Sequence, residues 1–254
     1  MADVRSLLLA VEPINTGVAY VIRARPRDED WPWSACFDRS MDTDTAVERA
    51  WHRIEDWLSR FAPRFRAELN PPATAAEIDT VATALGVALP ADLRVWWGLS
   101  NGVRHGIGLP SASLIPDFSS PYPVSIAVER WRMHLEVQQE SYPPGMREEM
   151  ERFVAGENAQ PAGTLLSQLY WLPRWLPIAG DGGGGGLFID LRDGPLHGCL
   201  VEFSREHQGT TPRWESVTQL WVDVADELEA VDSDLLRSDR VDDLRIGWWR
   251  PPTS

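Results

Sequence analysis

The sequence predicts an α+β fold, and three observations carry that reading. Capped helices dominate the region that begins near Thr45, two short strands joined by a turn lie between Leu187 and Phe203, and an amphipathic helix follows them from Ser216. The alternation of strand and helix that builds a parallel sheet does not occur, and no internal repeat is present.

Residues 1–40 read as an N-terminal extension in which only Gly17–Ile22 has strand character; Arg25–Asp30 is a charged loop and Trp31-Pro32-Trp33 a surface or docking segment. Thr45-Ala46-Val47-Glu48 then has the form of a capping box, in which the hydroxyl accepts from an amide of the first turn while the glutamate reaches back. Behind it Trp51, Ile54, Trp57, Leu58 and Phe61 recur at helical spacing and form one apolar stripe that ends near Pro63. A second box, Thr74-Ala75-Ala76-Glu77, follows Pro71-Pro72. Its helix turns Ile78, Val81 and Leu85 inward and stops at Gly86, a residue suited to the position past a helix end. Each cap contributes about 1 kcal/mol, which makes these the sharpest boundaries in the chain. After Leu89-Pro90 a third short helix carries Leu93, Val95, Trp96 and Trp97 and closes on Asn101-Gly102, which tolerate positive φ.

Residues 103–124 mix Gly, Pro and Ser with short apolar pieces and predict loops and strands. Ser125 opens a longer helix containing Ile126, Val128, Trp131 and Leu135, which Pro143-Pro144-Gly145 interrupts; Met146 to Val154 is a further helical piece. Trp171 to Ala179 holds too much proline for a regular helix. Leu187–Leu191 and Gly198–Phe203 read as strands connected through Asp193-Gly194-Pro195. Val217, Leu220, Trp221, Val224 and Leu228 line one face of the closing helix, and the tail after Val231 is charged and ends near Trp248-Trp249.

Composition narrows the function classes. Of 254 residues, 43% are hydrophobic and 24% charged, which excludes a chain disordered throughout, a collagen or a coiled coil. No apolar run approaches the ~20 residues of a membrane span. Leu7–Val11 is too short for the core of a signal peptide, so a cytoplasmic location is expected. Cys36 and Cys199 form no disulfide or metal framework, in keeping with a reducing compartment. The formal charge is −14, and all 24 of the Lys-plus-Arg side chains are arginine. Without lysine there is no Walker lysine and no Schiff-base amine. The acidic balance argues against nucleic acid as a partner. It is compatible with a basic protein partner, and equally with a solvated surface that meets none.

The motifs that could carry chemistry fail on context. Gly98-Leu99-Ser100-Asn101-Gly102 spells the nucleophile elbow, which needs its serine on a turn from a strand into a helix. Here a Trp-rich helix precedes the serine, so the segment reads as a helix end. Gly182–Gly186 follows Asp181 without the lysine or the helix that a phosphate loop requires, and reads as a turn feeding a strand. Such a run also lets a partner approach the backbone closely. His134-Leu135-Glu136 lacks the cysteine pair of a zinc deaminase. His52, His105, His134, His197 and His207 show no metal-ligand spacing, and His52 is expected to face solvent. The acidic residues of 148–151 and 223–229 read as solvated helix faces. No catalytic residue, cofactor site or metal ligand is therefore expected. Trp51, Trp57, Trp97, Trp131 and Trp221 fall at core spacings, whereas Trp31, Trp33, Trp248 and Trp249 lie in irregular termini, where aromatics either anchor a partner or fold back.

One ordered set of residues resembles a known family. Trp51-x-x-Ile54-Glu55-x-Trp57-Leu58 is followed by Leu69-Asn70-Pro71-Pro72-Ala73-Thr74-x-x-Glu77-Ile78, by Leu85-Gly86-x-x-Leu89-Pro90-x-Asp92-Leu93 and by Trp97-x-Leu99-x-Asn101-Gly102. Later come Trp175-Leu176-Pro177-Ile178-Ala179-x-Asp181-Gly182-Gly183-Gly184, Leu187–Leu191 and Gly198–Val201. Together these resemble the SUKH superfamily, and more narrowly its Smi/Knr-type group of cell-wall assembly regulators and bacterial toxin-immunity proteins. The resemblance covers roughly residues 45 to 230. It divides the chain into the extension 1–40, a SUKH-like domain at 41–230 and a tail at 231–254. It implies helices packed around a central, mostly antiparallel sheet, with no catalytic centre and no cofactor. The motif residues Trp57, Asn101, Gly102, Trp175, Pro177, Asp181, Gly182 and Asp190 would then have structural or binding roles. Partner surfaces vary in the family, so no binding residue carries over. Two functions follow as expectations. The first is an immunity protein that neutralises a cognate, basic toxin domain by direct binding, with neither nucleic acid nor membrane as partner. The alternative is an intracellular regulatory or scaffold protein of the cell-wall assembly regulator type.

Overall fold

The structure is a computed structural model and describes residues 43–105, 112–116, 119–164, 170–203 and 212–230. The expected N-terminal extension, with Trp31 and Trp33, and the tail, with Trp248 and Trp249, lie outside the described residues.

The first helix, α1 (Thr43–Phe61), begins two residues before the expected box, so Thr45 stands in its first turn rather than at its cap. The single turn α2 (Pro63–Arg66) has Pro63 at its first position and buries Phe65. The box that opens α3 (Ala75–Leu85) is present in full. Thr74 Oγ1 accepts from the Glu77 amide at 3.2 Å, and Glu77 Oε2 accepts from the Thr74 amide at 2.7 Å. Gly86 closes that helix in the left-handed region at φ 66°. Then follow α4 (Ala91–Leu99), the short strand β1 (Ser120–Pro121), α5 (Val124–Glu140) and α6 (Arg147–Asn158). The last of these runs four residues past the expected end at Val154. The sheet continues with β2 (Trp175–Gly180), β3 (Gly186–Asp190), β4 (Cys199–Phe203) and β5 (Pro212–Trp214), and α7 (Val217–Ala230) closes the described region. Ser216 Oγ accepts from the Gln219 amide at 3.1 Å, a side-chain cap for this helix.

The strands form one sheet in the order β1-β2-β3-β4-β5, and every pairing is antiparallel. The proline-rich segment that the sequence left without an element is therefore β2, an interior strand. Its register with β3 shifts between Pro177 and Ala179, an irregularity at which the missing proline N–H is tolerated. On the other side of β2 lies two-residue β1, and α5 packs against β2. Trp131 Nε1 donates to the Pro173 carbonyl at 3.0 Å just ahead of the strand. Trp131, expected in the core, is half-buried in this bridging position.

Side chains alternate across the sheet and feed two apolar layers. Leu176, Ile178, Leu187, Ile189 and Leu200 join the main core with α1, α3, α4, α5 and α7. Trp175, Phe188, Cys199 and Val201 face the other way, onto Trp171, Leu172 and Val154 of α6. The centre of the main core is aromatic. Trp221 lies 5.0 Å from Trp51 and 4.8 Å from Trp96 between ring centroids, in edge-on and tilted geometries that aromatic quadrupoles favour. Asp92 is buried beneath α7 and accepts from the Thr218 amide at 2.9 Å, capping that helix from a distant part of the chain.

Candidate binding site at the glycine hairpin

The residues singled out by sequence divide into structural supports and one exposed hairpin. Asn101 Oδ1 accepts from the Val124 amide at 2.8 Å, so it caps α5 rather than ending α4, whose cap is Ser100. Its carbonyl accepts from Asn70 Nδ2 at 2.9 Å. Gly102 has φ 64°, and a Cβ there would lie 2.6 Å from the Tyr122 carbonyl carbon. Only glycine allows the two backbones to approach so closely. Trp57 is 6% exposed and packs against Phe61, and Trp175 stacks on Phe188 with centroids 4.3 Å apart. Asp190 and Arg192 are each 1% exposed and form a buried ion pair, Arg192 Nη2 to Asp190 Oδ2 at 2.6 Å. Asp190 also accepts from the Gly163 amide at 2.9 Å, and Arg192 donates to the carbonyls of Glu157 and Thr164. The pair is saturated with partners and ties the end of β3 to the segment after α6.

The hairpin between β2 and β3 is different in kind. Asp181 Oδ1 accepts from the amides of Gly183 at 2.7 Å and Gly185 at 3.0 Å, and the Asp181 amide donates back to the Gly185 carbonyl at 3.2 Å. This Asx-type closure pins the glycine run. Gly182 and Gly184 adopt φ 77° and 100°, conformations that explain glycine at those two points. Gly182, Gly183 and Gly184 are exposed and present main chain without side chains.

Against this hairpin lies a cleft lined by Tyr122, His134, Trp171, Pro177, Phe203 and Gly184, with room for about 30 Å³. That is space for a water or two, or for one small side chain. Its aromatic wall is held from α5. The Trp171 amide donates to Gln138 Oε1, and Gln138 Nε2 donates to the Trp171 carbonyl at 3.0 Å. His134 stacks on Trp171 at 4.0 Å with an interplanar angle of 12°, and Phe203 meets Trp171 edge-on. The Tyr122 hydroxyl sits where a side chain on Gly180 would be. Burial pushes its ionisation above the usual value, and the Asp181 carboxylate adds to that. Of the eight motif residues, Pro177, Asp181 and Gly182 belong to this hairpin and its cleft; the other five build the scaffold. Tyr122, Trp171 and Phe203 carry no motif, and His134 was singled out only as part of a zinc pattern. Among the described residues, no group of three His, Cys, Asp or Glu lies close enough to hold a metal ion. A wider, open groove of about 390 Å³ runs between Gly86–Ala88 and Arg174 with the turn that holds Asp193 and His197.

The fold defines the class: an α+β domain with helices packed around one antiparallel sheet. The family model described as SMI1 / KNR4 family (SUKH-1) matches residues 72–223, more than half of the chain, and the chain belongs to that family. The matched range contains all five strands, α3 to α6 and the first half of α7. Three curated fungal relatives are similar to it. The "Cell wall biosynthesis/cell cycle regulator smi1" of Schizosaccharomyces pombe is 26% identical over 166 residues, covering 63% of this chain and 32% of the relative. The "Glucan synthesis regulatory protein" of Neurospora crassa is 24% identical over 188 residues, with 63% and 34% covered. The "KNR4/SMI1 homolog" of Yarrowia lipolytica is 24% identical over 196 residues, with 63% and 27% covered. The chain thus spans about a third of the length of the curated relatives it matches.

Proposed function

We propose that this chain is a non-enzymatic, intracellular regulatory or scaffold protein of the cell-wall assembly regulator type, and that it acts by binding other proteins through the glycine hairpin and its cleft. The observation that carries this is the pinned hairpin itself: exposed main chain beside an aromatic cleft with room for one small side chain. Main-chain contact with a single apolar anchor is an economical way to hold an extended segment of another protein. The names of the fungal relatives, two of them regulators of wall or glucan synthesis, support the regulatory reading over neutralisation of a toxin.

Affinity capture from the native host with the full chain tests it. Gly183→Leu is the informative variant, because Gly183 has an ordinary φ and a Cβ there meets nothing closer than 3.6 Å. The variant should fold normally and lose the captured proteins. Several partners of unlike kind support a regulator or scaffold. A single basic toxin domain, whose toxicity the chain suppresses on co-expression, replaces this reading with the immunity function. Capture unchanged by Gly183→Leu removes the hairpin as the contact face.

A further inference from the structure

We propose that the groove between Gly86–Ala88 and the β3–β4 turn binds a small zwitterion, an amino acid or short peptide with a short aliphatic body, whose carboxylate meets Arg174 and whose ammonium meets Asp193. This goes beyond the hairpin reading and does not depend on it. The groove holds about 390 Å³, within the roughly 300–1,000 Å³ of small-molecule sites. It lies at the opposite end of β2 and β3 from the glycine hairpin and shares no lining residue with the cleft there.

Three polar side chains of the groove gather around consecutive residues at the start of the turn. Arg174 Nη1 donates to the Leu191 carbonyl at 3.4 Å, and His197 Nδ1 lies 3.1 Å from the carbonyl of Arg192, the residue directly before Asp193. A carbonyl only accepts, so Nδ1 carries the imidazole proton and Nε2 of the neutral ring keeps a lone pair. The main chain around them is fixed. The Leu191 amide donates to the Arg174 carbonyl at 2.8 Å, the His197 amide to Gly194 at 3.1 Å and the Ala162 amide to Asp193 at 2.9 Å. The Arg174 amide donates to Asn158 Oδ1 at 3.1 Å. Both charges nevertheless lack a counter-charge. Among the described residues Arg174 has no carboxylate partner, and the exposed Asp193 carboxylate has neither a hydrogen bond nor an ion pair. Arg53, Arg94 and Arg147, by contrast, each pair with an acid.

These groups select the ligand by its charges. A lone carboxylate drawn to Arg174 meets Asp193 in the same groove, and a lone amine drawn to Asp193 meets Arg174; a molecule with both charges satisfies both. The guanidinium fork matches the two oxygens of a carboxylate, while Asp193 and His197 Nε2 accept from ammonium N–H groups. The opposite wall has the same preference for a cation. There α3 ends at Gly86, and a helix C-terminus carries partial negative charge. Val87 and Ala88 on that wall are small and apolar, which suits a short aliphatic side chain.

The test is an NMR titration of the full chain at neutral pH and constant ionic strength, followed at the His197 ring and at the Ala88 and Gly194 amides. L-alanine and L-alanyl-L-alanine carry both charges, N-acetyl-L-alanine only the carboxylate and L-alaninamide only the ammonium. At least one zwitterion should give saturable shifts on both walls and bind about five-fold more tightly than either single-charge compound, the upper end of what an exposed ion pair adds. A tighter dipeptide supports the site as one for peptides, and a tighter alanine as one for free amino acids. Asp193→Asn alters an exposed turn residue whose carboxylate holds nothing, so it should fold normally and erase the preference over N-acetyl-L-alanine. Arg174→Met should erase the preference over L-alaninamide. Shifts that do not saturate, equal binding of the single-charge compounds, or a zwitterion preference that survives Asp193→Asn would overturn the site. Neither result bears on the hairpin reading, since Gly183 does not line this groove.

Discussion

Asn101 shows how a short motif hides its role. Its sequence context marks a turn, but its side chain serves the first amide of α5, twenty-three positions along the chain. No local pattern announces a cap delivered from that distance. Asn101→Ala should lower stability by about 1–2 kcal/mol in urea denaturation, the cost of a lost cap with a buried donor left bare. Gly102→Ala should cost more, since it adds a backbone clash to an unfavourable φ. The Asp190–Arg192 pair makes a sharper case. Removing either partner leaves a charge at 1% exposure, so Asp190→Ala should destabilise by about 3–5 kcal/mol, whereas replacing both with apolar residues should recover most of that loss. Cys199 is buried, and burial pushes its thiol up to about 12. In a Cys36→Ser background the native protein should resist a thiol reagent such as DTNB until it is unfolded.

Elements with local signals were legible, and those without were not. Thr74, Glu77 and Gly86 fix α3 through contacts within a few residues, so sequence alone bounded that helix correctly. The pair β3 and β4 showed through an unbroken apolar run on either side of a turn. By contrast β1 has two residues and β5 three, too few to display a period. Pro177, with Pro173 just ahead, masks β2, which is a strand because β1 and β3 pair with it on either side. The glycine hairpin was read as a turn, and its rigidity was not visible, because it comes from Asp181 bonding to two amides. Asp181→Ala should accelerate hydrogen exchange at Gly183 and Gly185 while leaving Tm nearly unchanged, as the loop is exposed.

At the scale of the whole molecule, the cleft collects Tyr122 from beside β1, His134 from α5, Trp171 from a loop and Phe203 from β4. Long separations along the chain made it invisible to motif reading, while the scaffold residues that bring these parts together were conspicuous. Stability should depend on pH from the acid side. Burial and the Arg130 charge hold His105 below its ordinary value of 6.5, and hydrogen bonds from Arg53 hold Glu229 below the usual 4.5. Both groups bind protons more readily in the unfolded chain. As pH falls from 8, stability is therefore retained to about pH 6.5, declines through His105 below that, and declines further below pH 4.5 as Glu229 is protonated; above about pH 9 the raised Cys199 and Tyr122 lower it again. Thermal denaturation from pH 8 to pH 3 checks this; in His105→Phe the first decline should vanish.

The most direct measurement is photo-crosslinking in the native host, with the reactive side chain placed at position 183 in one protein and at the solvent-facing position 52 in another. The account predicts protein adducts from position 183 and none of the same identity from position 52. Equal adducts from both positions, or none from 183 while the chain remains folded, would contradict it.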